Sequence, residues 1–271
     1  MKKQISKIEN DVQGRNSLAW KKLCEYIDEI AENGSDEFVP REALGNELFA
    51  EIHTLPESIS KLKKVTKIGL YGSQLERIPP EIGQMESLEY FDPYTSYKLN
   101  WFPYEIMDCK KLRDSRISTR ALFGNFKNRM DFPSLDHNPV RYFGETLKCS
   151  ICKKEMTYEE TNQLWITLRT GTDTIPLLAN LCSKECEEKL PQPPENYVQY
   201  AHKGGANLVQ PLDENELWKI RVAEREKEIE KEKLNNQVES NKEENQNPEP
   251  KKEINWSDLK PLKLIRKIWE K

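Results

Sequence analysis

Few of the groups that enzymes use are present in this chain. It carries three histidines, His53, His137 and His202, and has no HExxH or HxE pairing, no GxSxG turn and no glycine-rich phosphate loop. Metallohydrolase, serine-hydrolase and nucleotide-transfer chemistry therefore find no support, and a protein that is not an enzyme is expected. No apolar run approaches the roughly 18 residues of a membrane span. The opening MKKQISKIENDVQGRN has a positive end but no apolar core to make a secretory leader. A soluble, cytoplasmic protein is expected, and a membrane surface is not its favoured partner. Six cysteines suit that compartment as thiols or metal ligands, not as disulfides. Apolar residues make up only 36% of the 271 and charged residues 32%, so part of the chain should stay unpacked. The formal net charge of -4 argues against a general coat for nucleic acid.

What is present is a repeat. LPESISKLKKV (55 to 65), IPPEIGQMESL (78 to 88) and FPYEIMDCKKL (102 to 112) share one template. An apolar residue precedes Pro, an isoleucine falls four later, and apolar positions follow at plus seven and plus ten. Cys109 takes the slot of Leu62 and Met85, which makes it a small buried hydrophobe and not a nucleophile. Between these pieces, VTKIGLYGSQLERIP (65 to 79) reads as LxxLxLxxNxLxxIP, with Ser73 in the Asn slot. The steps from Leu55 to Ile78 and from Ile78 to Phe102 are nearly equal, and both fall within the period of leucine-rich repeats. Later units are looser, with Pro93 in a strand slot and Ser115 where an apolar residue belongs. Three or four repeats have two exposed ends. SLAWKKLCEYIDEIAENG supplies an amphipathic N-terminal cap, with Ser17 as N-cap, Gly34 as stop and Cys24 on the apolar face.

The other cysteines form two pairs, CSIC (Cys149, Cys152) and CSKEC (Cys182, Cys186). A thiolate pair on a tight turn, joined by a second pair on the first turn of a helix, presents four soft ligands to one tetrahedral zinc. LWITLR (164 to 169) and IPLLANL (175 to 181) read as strands joined by TGTD, and SKECEEKL opens like a helix. The alternatives are a redox CxxC, which would want a single motif in a βαβ setting, and four unrelated thiols. Four cysteinates close the metal's shell, so one structural Zn2+ per chain is expected, not a catalytic one.

These segments together, EFVPREALGNELFAEIHTLPESI, LYGSQLERIPPEIGQMESLEYFDPYTSYKLNWFPYEI, STRALFGNFKNR and the cysteine pairs flanking LWITLRTGTDTIPLLANLCSKEC, resemble short bacterial leucine-rich repeat proteins with a C-terminal, treble-clef-like cysteine module. The resemblance spans roughly residues 37 to 205. It implies an α/β solenoid and a binding role, and no particular reaction. The expected organisation is an N-terminal helical cap (1–50), repeats (51–140), a zinc module (141–212), a charged helix (213–234), a disordered linker (235–253) and an amphipathic segment (254–271). Opposite charges three apart, such as Glu224 with Lys227, support the helix. The last segment carries five basic and two acidic residues from Ser257 onward. It reads as a docking motif for a partner's groove, an anionic-membrane helix or a piece folding back on its own domain.

In such a stack the solvent side of the strands would recognise an unidentified protein partner. The residues there are Lys67, Gly69 and Tyr71, then Tyr90, Asp92 and Tyr94, then Asp114, Arg116 and Ser118. Tyrosine and arginine are the residue types that anchor interfaces, although strand propensity alone also favours tyrosine. The alternative is nucleic-acid binding. Lys110 to Met130 holds seven basic residues against one acidic, with Arg113, Arg116, Arg120, Lys127 and Arg129 as the candidates and Phe123 and Phe126 interleaved.

Overall fold

The computed structural model describes residues 11–246; the amphipathic segment 254–271 and the end of the linker lie outside the described residues. Helix α1 (Leu18–Asn33) starts where the Ser17 hydroxyl accepts the Trp20 N–H, and stops at Gly34, whose φ of 71° lets its N–H reach the Ile30 carbonyl. Trp20, Leu23, Ile27 and Ile30 recur three or four apart and are buried on one face. Cys24, on the same side, is only half-buried. A short strand β1 (Glu37–Phe38) and a helix α2 (Pro40–Phe49), broken at Gly45, follow.

Strand β1 is the first of four in a parallel sheet with β2 (Lys67–Gly69), β3 (Tyr90–Asp92) and β5 (Asp114–Ser115), ordered β1-β2-β3-β5. The register pairs Lys67 with Tyr90 and Tyr90 with Asp114. The strands therefore advance along the chain by the same steps that separate Leu55, Ile78 and Phe102. Opposite the strands run three 3-10 turns, Glu57–Lys61, Pro80–Gln84 and Tyr104–Asp108. Each begins after a proline, Pro56, Pro79 or Pro103, whose fixed φ and missing N–H suit a helix start. The turns pack so closely that a Cβ on Gly83 would lie 2.5 Å from the Glu105 carbonyl oxygen. Between sheet and turns lies one apolar core. Leu55, Leu70, Leu75, Ile78, Ile82, Leu88 and Phe91 are all fully buried, each contributing roughly 1.5–3 kcal/mol. In the connecting turns the Ser73 and Ser96 hydroxyls meet at 2.7 Å, and the Ser96 hydroxyl also donates to the Leu70 carbonyl.

The rest of the chain closes onto this stack. Strands β8 (Asn162–Thr170) and β9 (Asp173–Leu181), nine residues each, form an antiparallel hairpin. Strand β9 also pairs in parallel with β4 (Phe102–Pro103), Phe102 opposite Leu177. At the hairpin tip, Thr172 Oγ donates to the Ser115 carbonyl, and the Ser115 hydroxyl reaches Asp173 Oδ2 at 2.9 Å. Ser115, polar in an apolar slot, is therefore buried and satisfied. A second apolar cluster gathers Trp101, Phe123, Phe132 and Leu178 around Trp165, whose indole N–H donates to the Pro133 carbonyl. Two short strands, β6 (Thr146–Lys148) and β7 (Glu155–Thr157), and a helix α3 (Lys184–Glu187) frame the cysteines. Residues up to Trp218 belong to one compact unit and those from Lys219 to a second.

Two boundaries differ from expectation. Strand β1 lies inside the stretch read as a purely helical cap; Phe38 and Val39 alone between Asp36, Glu37 and Pro40 are too short a run to signal a strand. Helix α4 spans Glu214–Gln246, running into the stretch 235–246 read as disordered. The Glu, Lys and Gln of that stretch are good helix formers even without apolar support. Among the described residues no helix is long and apolar enough to cross a membrane.

Cys109 is buried and its thiol donates to the Ile82 carbonyl at 3.2 Å. Burial pushes its pKa up to about 12, so no thiolate forms near neutral pH. Cys109→Ala should cost about 1 kcal/mol, whereas Cys109→Asp should unfold the domain by burying a charge. Thiol labelling of the native protein checks the premise: Cys109 should react only on unfolding, and fast native labelling would refute its burial.

Candidate metal centre

The four paired cysteines converge. Cys149 follows the last residue of β6, and its N–H donates to the Lys154 carbonyl at 2.8 Å while Lys153 N–H donates back to the Cys149 carbonyl at 3.0 Å. Lys153 sits at φ 63° to close this knuckle. Cys182 follows the last residue of β9, and Ser183 caps α3 by accepting the Cys186 N–H, so one helical turn brings Cys186 back beside Cys182. The knuckle is fixed to β9 by Ser150, whose N–H donates to the Asn180 carbonyl and whose hydroxyl accepts the Asn180 N–H.

All four sulfurs lie within 4.8 Å of one another, with Cys152 to Cys182 at 3.5 Å and Cys182 to Cys186 at 3.6 Å. A tetrahedral ion bound by thiolates at about 2.3 Å spaces its ligand sulfurs about 3.8 Å apart. The cluster could hold one metal ion in that geometry. Its electrostatics agree. Burial opposes ionisation of Cys149, but backbone N–H groups of Cys152, Ile151 and Cys182 point at its sulfur and bring it down to about 6. Cys182 is pushed up to about 12, chiefly by the Cys152 thiol. Four thiolates cannot share this volume without a compensating cation. An ion held by all four sulfurs in that geometry would keep no position open for water.

The knuckle also touches the 3-10 turn Tyr104–Asp108. Ser150, between Cys149 and Cys152, donates its hydroxyl to Glu105 Oε1 at 2.7 Å. Glu105 is buried, and burial pushes its carboxyl up to about 7 against the Ser150 hydrogen bond.

Of the residues named for partner recognition, Lys67, Tyr90, Asp92 and Asp114 lie on β2, β3 and β5, and Tyr71, Tyr94, Arg116 and Ser118 lie just beyond those strands. Tyr71 and Tyr94 are exposed with ring centroids 6.1 Å apart. Arg116 lies 4.4 Å over the Tyr94 ring, with Asp92 at 3.8 Å. Lys67 pairs with Glu37, and Tyr90 donates its hydroxyl to Asp92. Ser118 accepts the Thr95 N–H, and Asp114 meets the hairpin residue Thr172. Sequence reasoning misses Arg41. It reaches from α2 to the Gly72 carbonyl and lies 5.7 Å from the Tyr71 ring; nothing local in PREALGNEL marks it. Of the basic candidates, Arg113 pairs with Glu89 and Lys127 with Glu214. Arg129 is buried, donating to the carbonyls of Leu212 and Gly124. Arg120 is exposed.

No protein-family model matches the chain, and no curated protein matches it.

Elemental analysis of protein purified reduced, supplied with metal and dialysed should give one ion per chain, and any single change of Cys149, Cys152, Cys182 or Cys186 to Ser should abolish it. A stoichiometry near zero in the unaltered protein would refute the site.

Glu105 makes a pH prediction. Its folded pKa, about 7, lies above the ordinary 4.5, so its contribution is fully present below about pH 4.5 and is lost as pH rises through 7. The span is on the order of 3 kcal/mol. Denaturant unfolding of metal-saturated protein should show Glu105→Gln gaining on wild type by that amount between pH 5 and pH 8. A constant difference would mean that Glu105 ionises normally.

Proposed function

We propose that the chain is a non-catalytic protein-interaction module. In this reading it is a short leucine-rich repeat stack of α/β solenoid type, closed at its C-terminal end by a treble-clef-like module around one structural zinc, and it recognises a protein partner through the solvent face of its parallel strands. Zinc suits a closed set of four thiolates, being redox-inert and tetrahedral. Parallel strands that advance by one near-constant step, Lys67 to Tyr90 to Asp114, support the repeat assignment.

One observation carries the functional reading: the row Arg41, Tyr71, Tyr94, Arg116, in which two exposed tyrosines, their rings tilted at 38° to each other, lie between two guanidinium groups. Arg41 comes from α2 and the other three from the segments that follow β2, β3 and β5, and cation–π contacts hold its rings in place before any partner arrives. Rigid tyrosines lose little rotamer freedom on binding, and such residues concentrate the energy of an interface. The basic run offers less to nucleic acid, because Arg113, Lys127 and Arg129 already serve internal partners.

Affinity capture with the full chain, followed by mass spectrometry, tests the reading. Tyr94→Ala combined with Arg116→Ala should weaken capture by about 1–3 kcal/mol and leave metal content and folding unchanged. Equal recovery of the same partners by the double variant would move recognition off this face. Loss of labelled RNA or DNA binding in the same variant, in place of protein capture, would favour the basic-surface alternative.

A further inference from the structure

The four cysteines of the metal centre do not meet solvent equally. Cys149 and Cys186 are buried, Cys182 is partly exposed, and Cys152, in the turn of the knuckle, is exposed. Elsewhere in the chain Cys109 is buried and Cys24 half-buried. Cys152 is therefore the thiol that a small polar oxidant reaches without displacing other groups. Its sulfur also has a close neighbour: the Cys182 sulfur lies 3.5 Å away, in van der Waals contact.

Metal ligation alone would not single out Cys152, because all four sulfurs would be equivalent ligands. Ligation does supply one ingredient, since a coordinated thiol is held as the thiolate, the form that attacks an oxidant. Solvent access and an adjacent resolving thiol supply the other two, and together they separate an oxidisable cysteine from an inert structural one. Among the four, Cys152 has both.

We propose that Cys152 is a site of peroxide oxidation, that Cys182 resolves it, and that the resulting disulfide expels the metal. The inference rests on the reading of the cysteine cluster as a metal site and is independent of the tyrosine–arginine row. In the first step the Cys152 thiolate attacks an oxygen of hydrogen peroxide. An S–O bond forms, the O–O bond breaks, and the departing hydroxide takes a proton from solvent to become water. In the second step the Cys182 thiolate attacks the Cys152 sulfur. An S–S bond forms, the S–O bond breaks, and a second hydroxide leaves as water. The two thiolates are oxidised and the peroxide is reduced. The ion then keeps only Cys149 and Cys186, too few for a closed tetrahedral shell, and dissociates. Cys186 also lies close to Cys182, at 3.6 Å, but it is buried, so the oxidant meets Cys152 first.

Cys152 belongs to the knuckle and Cys182 follows β9, so the disulfide joins the same two segments that the metal joined. The hydrogen bonds between Ser150 and Asn180 hold those segments together as well. Release of the ion thus leaves the hairpin fastened, and a dithiol reductant regenerates the four-thiol site.

Titration of full-length, metal-loaded protein with hydrogen peroxide tests this, with the released ion followed by a chromogenic chelator and the products by peptide mapping after thiol blocking. The ion should leave in step with a Cys152–Cys182 crosslink, with Cys24, Cys109, Cys149 and Cys186 recovered as thiols, and dithiothreitol followed by fresh metal should reverse both changes. Dimedone, which traps sulfenic acids, should label Cys152 at early times. Cys152→His keeps a metal ligand and removes the reactive sulfur, so the fast release should be lost, whereas Cys24→Ser should release metal as the unaltered protein does. If Cys152→His does not load, the dimedone label and the crosslink in the unaltered chain decide the question. A protein that holds no ion before peroxide is added would overturn the metal site and this inference together. A loaded protein that keeps its ion and its Cys152 thiol, a first dimedone label on Cys24, or a Cys182–Cys186 crosslink would overturn this inference alone.

Discussion

Each strand of the parallel sheet is two or three residues long and turns a single side chain inward: Phe38, Ile68, Phe91 and Ser115. If the chain is the repeat stack proposed above, no turn of it can bury its own apolar surface, so each depends on the next, and the last on a segment outside the stack. At the N-terminal end α1 and β1 supply the cover. At the other end the β8–β9 hairpin does so, pairing β9 with β4 and seating its tip on Ser115. In that proposed reading, covering the open end of the parallel sheet is the constraint from which the remaining architecture follows. It explains why the cysteine knuckle is fastened to β9 through Asn180 and to the repeats through Glu105. A metal held by Cys149, Cys152, Cys182 and Cys186 would fix the far end of that hairpin and so hold the lid in place.

The same geometry sorts the polar residues. Where outward side chains meet neighbours from adjacent turns, most find internal partners: Lys67 with Glu37, Arg113 with Glu89, Ser118 with the Thr95 amide. The row from Arg41 to Arg116 is different because its aromatic rings pair with each other and with cations while the two tyrosines stay exposed. Surface charge alone would have pointed to the basic run instead. Burial of Arg129 and the Lys127–Glu214 pair turn much of that run into structure.

Spacing rules made some features legible in the sequence. A template recurring at Leu55, Ile78 and Phe102 placed Cys109 in the core beside Leu62 and Met85, and two cysteine pairs around a hairpin pattern were enough to bring four sulfurs together. Contacts between distant segments were not legible. Ser115 looked like a flaw in a degenerate repeat because its partners, Thr172 and Asp173, lie 57 and 58 residues away. Phe102–Pro103 fitted the repeated template like Leu55–Pro56 and Ile78–Pro79, and its pairing with β9 depends on how the module folds back. Arg41 belongs to a cap helix, and Glu105 occupies an ordinary acidic position after Pro103. Periodicity encodes what each repeat does for its neighbour, whereas the closing contacts are made once and leave no pattern.

Native-state hydrogen exchange, comparing metal-loaded protein with protein stripped by a chelator under reducing conditions, tests most directly whether hairpin and cysteine cluster act as the lid of the stack. Loss of the metal should lower protection first in 146–190 and then through β5 and β3, with the amides of Phe91 and Arg116 exchanging faster. Unchanged protection at those amides, with losses confined to 146–190, would show that the stack stands without its lid.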